Sequence, residues 1–211
     1  SDGSGDRTVE RARAAGADLV LELPRDALVV GMAAQMIERK GHRYLLEAAP
    51  HVLAAIPSAH FLIFGRGPLE SSLRDEVMRR GLAERIRFLG FRDDLERLLP
   101  CLDLLVHPAT LEGLGVILLQ AAACGLPIVA SAAGGIPEVV RDGVNGRLVA
   151  PGDAPALARA LIELLGNAEH RRRMGQAGRR IVEAEFSIDA MVDGNLAVYR
   201  RLLGHEPVDT R

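Results

Sequence analysis

Residues Asp103–Ser131, DLLVHPATLEGLGVILLQAAACGLPIVAS, hold an apolar run, a glycine-rich polar loop, a helical pattern and a second apolar run introduced by Gly125 and Pro127. The runs DLLVHP and PIVAS are short and dominated by Val, Ile and Leu, whereas LGVILLQAAACG between them repeats apolar residues at helical spacing. A strand, a crossover helix and a parallel strand follow, the unit from which α/β sheets are built.

The alternation continues on both sides. Strand-like runs lie at 27–35 (ALVVGMAAQ), 59–65 (AHFLIFG), 85–90 (RIRFLG) and 146–150 (GRLVA), each closed by glycine, proline or polar residues. HRYLLEAAPHVLAAI and LESSLRDEVMRRG carry helical spacing between them. Most of the runs are continuously apolar, as strands covered on both faces must be. The expected fold is α/β: a Rossmann-like, doubly wound, mostly parallel six-stranded sheet with helices on both faces. After Pro151 three helical segments follow without a strand, with Asp153 and Ser187 as N-cap candidates for the first and third. Leu157, Leu161, Leu164 and Leu165 mark one apolar face; Ile188, Val192, Leu196, Val198, Leu202 and Leu203 mark another, which packs across the sheet or reaches toward a neighbour. The chain divides into an N-terminal segment of undetermined structure (1–25, helix-like around Glu10–Ala15), one domain over 26–205 and a tail at 206–211.

Composition narrows the function. The chain has 211 residues, 48% of them apolar, and a domain of that size removes roughly 70% of its unfolded surface from water without disulfides or a structural metal. Cys101 and Cys124, with no Cys-x-x-Cys spacing, read as small buried residues and fit a reducing cytoplasm. A net charge of −2, with no Trp and two Tyr, offers neither field nor stacking platform for nucleic acid. No apolar run reaches membrane-spanning length, and the N-terminus SDGSGDRTVE is unlike a signal peptide, so a cytoplasmic protein is expected.

In an open parallel sheet, ligands bind where strands end at their carboxyl side. The loops there are QMIERKGH, GRGPLE, HPATLEGLG and SAAGGIPE. Gly113, Leu114 and Gly115 read as the opening of a helix whose free N–H groups suit a phosphate or diphosphate. Glu112 stands at its mouth, and Gln120 lies eight residues on, roughly 12 Å along a helix and about 80° around it.

These motifs together resemble the retaining glycosyltransferases of family 4, specifically their C-terminal donor-binding domain, one half of a GT-B fold. The resemblance runs from about Val29 to Leu203 and is carried by ERKGHRYLLEA, FGRGPLESSL, RFLGFRDDL, EGLGVILLQAAACGLPIVAS, AGGIPEVVRDGVNGRLVAPGD and EFSIDAMVDGNLAVYRRL in that order. It implies that a nucleoside-diphosphate sugar is the donor, that Lys40 holds its diphosphate and that Glu112, as the catalytic residue, faces the transferred sugar. Gln35 stands where many relatives carry Arg, and Gln120 where they carry the second Glu of a pair. A neutral amide accepts a ribose hydroxyl more weakly than a carboxylate, by about 1 kcal/mol. Gly65 and Gly67 would frame base and ribose, with backbone near Arg87–Gly90, and Gly134 and Gly135 would approach the diphosphate or sugar. No metal or other cofactor is implied, in keeping with the lack of an Asp-x-Asp motif in these loops. A whole enzyme of this kind has a second, N-terminal domain for the acceptor, so this half is expected to be inactive alone.

Taken singly, these residues have plainer readings. Glu112 could be a helix-entry polar residue, Lys40 a solvated charge, and Gln120 a surface amide. His107, between an apolar run and Pro108, reads as a hydrogen-bonded structural histidine, and Glu138 as support or direct ligand for the Gly134–Gly135 loop. The run His170–Arg173 with Arg179 and Arg180 could meet an anionic membrane surface, placing the protein peripherally at the inner membrane face. A solvated helix face balanced by Glu163, Glu169 and Glu183 is the favoured alternative. Two rival functions remain: a non-catalytic nucleotide-binding or partner-docking domain, motivated by Gln35 and Gln120, and a dinucleotide oxidoreductase, disfavoured because GRGPLE lacks the third spaced glycine.

Overall fold

A computed structural model describes residues 21–203. The helix-like stretch at Glu10–Ala15 and the tail beyond residue 203 lie outside the described residues. Six strands form one parallel sheet: β1 (Leu28–Ala33), β2 (Ala59–Phe64), β3 (Ile86–Gly90), β4 (Leu104–His107), β5 (Ile128–Ser131) and β6 (Gly146–Val149), in the order β3-β2-β1-β4-β5-β6. This is the Rossmann-like arrangement expected from the sequence. The direction of strand order reverses between β1 and β4, which opens a crevice at their carboxyl ends.

Strand periodicity divides the core in two. Val30 and Met32 of β1, Phe61 and Ile63 of β2, and Leu104 and Val106 of β4 point to one face. There they meet α1 (His42–Ala55), α2 (Glu70–Arg79) and α6 (Ala154–Leu165) through Leu45, Leu46, Val52, Leu73, Val77 and Leu161. Val29, Ala33, Leu62, Phe64, Leu105 and Ile128 point to the other face. They pack beneath α4 (Val116–Ala123), α5 (Ile136–Val139) and the segment around the short helix α3 (Leu95–Leu98). Every residue of β2 is buried, which is why its run is apolar without alternation except at His60, whose ring nitrogens meet the Ser58 carbonyl and Arg85.

The three tail helices are α6, α7 (Ala168–Glu185) and α8 (Ile188–Leu202). Asp153 and Ser187 cap α6 and α8 as expected, accepting from the Ala156 and Ala190 amides at 2.7 and 3.1 Å. Asn167 caps α7 in the same way, a cap the leucine pattern did not reveal. Leu157, Leu161, Leu164 and Leu165 are all buried. In contrast α8 buries none of its residues: Ile188, Met191, Tyr199 and Leu202 are each more than half exposed.

Two expectations need correction. Cys101 is exposed, because it closes a 3-10 turn (Leu99–Cys101) on the surface ahead of β4, and Cys124 is only half buried at the carboxyl end of α4. Gly113 to Gly115 are not helical: Gly115 has φ +77° and caps the helix, which starts at Val116. The helical path to Gln120 therefore begins four residues later than the sequence suggests.

Candidate functional site

Four loops meet above the crevice, and they meet backbone to backbone. Gly41 has φ +75°, and a Cβ there would lie 1.9 Å from the Pro108 carbonyl oxygen. That contact seats the turn Glu38–Lys40 on the loop after β4, where Thr110 N–H donates to the Arg39 carbonyl at 2.8 Å. Gly134, with φ +55°, presses against the Glu112 carbonyl, and the Gly135 amide donates to the Gly113 carbonyl at 2.7 Å. A Cβ on Gly65 or Gly67 would lie 2.0 Å from the Ala34 carbonyl oxygen or 2.5 Å from that of Met36, so a side chain at any of these seams would force the backbone to shift.

The seams bring together side chains far apart in sequence. Lys40, after β1, reaches Glu112, after β4, because those strands are neighbours. Lys40 Nζ donates to Glu112 Oε2, and His107 Nε2 lies 2.8 Å from the same oxygen. The other oxygen, Oε1, accepts the Gly113 amide at 3.1 Å. Burial works against the charged form of Glu112, but the hydrogen bonds from Lys40 and His107 outweigh it and hold its carboxyl down at about 2. His107 is buried at the end of β4, and that burial lowers its pKa against the opposing pull of Glu112. It is thus hydrogen-bonded, as the sequence reading had it, but to the candidate catalytic carboxylate.

Gln35 and Gln120 face a different part of the crevice. A cavity of about 390 Å³ is lined by both amides together with Gly65, Arg66, Phe91, Arg92 and Ile117. Arg92 is held by paired hydrogen bonds to Asp94 at 2.8 and 2.7 Å. Phe91 and Arg92 escaped the sequence reading, although FRDD directly follows a strand at its carboxyl end, which is the position that exposes side chains to a ligand. Leu114 is half buried against the second core cluster, and Gly113 and Gly115 leave the start of α4 open. Gly134 and Gly135 serve the loop frame, supporting Glu112 and Gly113 from behind. Glu138 lies beside them, its amide donating to the Gly135 carbonyl at 3.1 Å.

His42 completes the cluster behind Lys40. It is buried at the start of α1, and neither ring nitrogen has a hydrogen-bond partner among the described residues. Burial above all, then the nearby His107 and Lys40, pushes its pKa down to about 4. An unfolded-state histidine titrates near 6.5, so the unfolded chain takes up a proton that the folded chain refuses, and stability falls as pH drops from about 6.5 toward 4. Glu112 acts lower: its stabilisation is complete above about 4.5 and disappears as pH falls toward 2. His42→Leu is expected to flatten the upper part of a plot of Tm against pH, recovering on the order of 2–3 kcal/mol near pH 4. His107 keeps some slope in the same window, and an unchanged slope would mean that His42 protonates freely in the fold.

Four members of the basic run on α7, His170, Arg171, Arg172 and Arg179, are divided among partners. Arg171 turns inward to the Leu164 and Leu165 carbonyls, while Arg172 pairs with Glu169 and Arg179 with Glu183. Glu163 meets Arg147 and His170. This pattern is that of a solvated face of mixed charge. Among the described residues no helix is long and apolar enough to cross a membrane, and no group of three or more His, Cys, Asp or Glu is placed to hold a metal ion.

With the crevice defined, comparison with known proteins assigns the lineage. The family model described as glycosyl transferases group 1 matches residues 20–181. The chain belongs to the group 1 glycosyltransferases. Among relatives in that family, the GDP-mannose-dependent monoacylated alpha-(1-6)-phosphatidylinositol monomannoside mannosyltransferase of Corynebacterium glutamicum is 38% identical over 172 residues, covering 77% of this chain and 44% of that protein. The lipopolysaccharide core biosynthesis glycosyltransferase LpsE of Rhizobium meliloti is 32% identical over 187 residues, 89% of this chain and 53% of that protein. The chain thus spans about half the length of these curated relatives. Among solved structures, Anabaena HepE in complex with UDP and glucose superposes with a TM-score of 0.75 at 26% identity, over 95% of this chain and 53% of that one. The C-terminal domain of the group 1 family protein LpcC from Francisella tularensis gives a TM-score of 0.71 at 27% identity, over 76% of this chain and 87% of that one. Membership in the group 1 glycosyltransferases removes the dinucleotide oxidoreductase from consideration.

Proposed function

We propose that this chain is the donor-binding half of a retaining glycosyltransferase, holding a nucleoside-diphosphate sugar for transfer to an acceptor bound on another domain. The observation that carries this reading is the Lys40–Glu112 pair at the open start of α4, beside a cavity large enough for a nucleoside. Base and ribose occupy the cavity, where Gln35 and Gln120 offer amide donors and acceptors. The diphosphate lies over Lys40 and the free amides at the head of α4, and Glu112 faces the sugar. As the anomeric bond breaks, charge accumulates on the diphosphate, and an ammonium and fixed N–H dipoles already aimed at it lower the barrier without reorganising.

The half-length match to relatives supports a missing acceptor domain, and α8 supports it independently. Its apolar residues Ile188, Val192, Leu196, Tyr199 and Leu202 fall on one side at helical spacing and are exposed, which suits a surface covered by the other half of the protein. Transfer by this chain alone is therefore not expected.

Calorimetric titration with UDP, GDP and ADP tests the reading. Selective binding of one of them is expected; the absence of heat from all three up to millimolar ligand would sink it. A second reading, a nucleotide-binding domain without turnover, is favoured by the two neutral amides facing one cavity. Sugar transfer on restoring the other half of the protein would remove that alternative.

A further inference from the structure

Glu112 Oε2 is shared by two donors, and they differ in how free they are to leave. Lys40 ends the short turn Glu38–Lys40, outside any strand; its side chain is largely covered, at 13% exposure, but its ammonium is carried on four rotatable bonds, and the proposed role gives it a second claimant in the donor diphosphate. His107 has no such freedom. It is the last residue of β4, in register with Ala130 of β5, and its side chain is 1% exposed. A ring locked in a central strand holds its hydrogen bond where a side chain on a loop cannot. Since the carboxylate brings no proton, the 2.8 Å contact requires the proton on His107 Nε2, and His107 Nδ1 has no partner among the described residues. The ring therefore makes one side-chain hydrogen bond, and that bond is to Glu112.

We propose that His107 is a positioning residue that keeps Glu112 aimed into the crevice when an anionic ligand draws Lys40 away. With Lys40 gone, Oε2 stays on His107 and Oε1 on the Gly113 amide, so the carboxylate is fixed at both oxygens without its cationic partner. In the ligand-free chain Lys40 and Glu112 neutralise each other; in the loaded chain Lys40 serves the diphosphate and His107 inherits the carboxylate. The direction of this exchange rests on the donor-site reading, whereas the hold of His107 on Glu112 does not.

The test separates the two. In the 211-residue chain labelled with ¹⁵N and ¹³C, Lys40→Ala imitates withdrawal of the lysine without any ligand. The His107 Nε2–H resonance is expected to persist near neutral pH and move further downfield. The Glu112 carboxyl midpoint should rise only part of the way to its ordinary value. Adding His107→Phe should complete the rise, and His107→Gln, whose amide can donate from a similar place, should restore part of the depression. A Glu112 midpoint in Lys40→Ala that is the same with His107, Phe or Gln at position 107 would overturn the proposal, as would loss of the Nε2–H signal in Lys40→Ala alone. These arms need only folded protein, which the unchanged amide spectra of the variants would establish. In the second stage UDP and GDP are titrated into the unsubstituted chain, and the His107 signal should move toward its Lys40→Ala position. If neither nucleotide shifts any resonance, the donor-site reading fails while the Lys40→Ala spectra still decide the role of His107.

Discussion

Lys40→Ala and Glu112→Gln are expected to change nucleoside diphosphate binding in opposite directions. A charge-assisted hydrogen bond contributes about 1.5–3 kcal/mol, so losing the ammonium should weaken binding roughly 10- to 150-fold. The loss is compounded because Glu112 then faces the diphosphate as an uncompensated negative charge. Glu112→Gln removes that charge and frees Lys40 from its internal partner, so a diphosphate carrying no sugar should bind more tightly than to the unsubstituted chain. Titration calorimetry of both variants with the preferred nucleotide reads the two signs directly. Weakening by both substitutions would mean that Glu112 accepts from the nucleotide itself, placing the diphosphate elsewhere.

Gly134→Ala should produce the largest loss of stability. The left-handed conformation alone costs a residue with a Cβ about 1–2 kcal/mol. Here the new methyl would also lie 1.8 Å from the Glu112 carbonyl oxygen, which is backbone and cannot rotate away. A total near 3 kcal/mol, or roughly 6–12 °C in Tm, is expected. Gly143→Ala is the matched control: its φ is +74°, but nothing lies within 4 Å of the added atom, so only the conformational cost applies. Equal losses in the two variants, measured by thermal denaturation, would show that the loop seam yields to accommodate a methyl.

Phe61, Leu62 and Ile63 of β2, in a strand buried on both faces, write their environment into the sequence, because a polar residue is admitted there only with partners, as His60 is beside the Ser58 carbonyl and Arg85. That is why six strands and the long helices could be read from runs and spacing. The short helices α3 and α5 left no such pattern, since four residues do not complete a period. The start of α4 is hidden for a related reason: a glycine in a sequence does not announce the sign of its φ, and Gly115 takes the positive value that delays the helix. Asn167 is inconspicuous as a cap because the leucine pattern lies on α6, before it. In the candidate site Lys40, Glu112, Gln35 and Gln120 were recognisable through the ordered family motifs. The ion pair between Lys40 and Glu112 was not, since 72 residues separate them and only the adjacency of β1 and β4 closes the gap. His107 reads in the sequence as a hydrogen-bonded structural histidine because it stands between an apolar run and Pro108, and nothing there names its partner. Its partner is five residues away across a turn through Pro108, a path with no helical or strand period to reveal it.

The loops above the crevice are joined by main-chain contacts at glycines, and the groups that would face a ligand are side chains mounted on that frame. Substitutions at the two places can therefore have separate fates during divergence. Exchanging a side chain such as that of Gln35 or Gln120 alters what is recognised and leaves the frame undisturbed; exchanging Gly41 or Gly134 disturbs everything mounted on it. A lineage built this way can change its ligand one amino acid at a time, and its glycines are the positions at which it is least free to experiment.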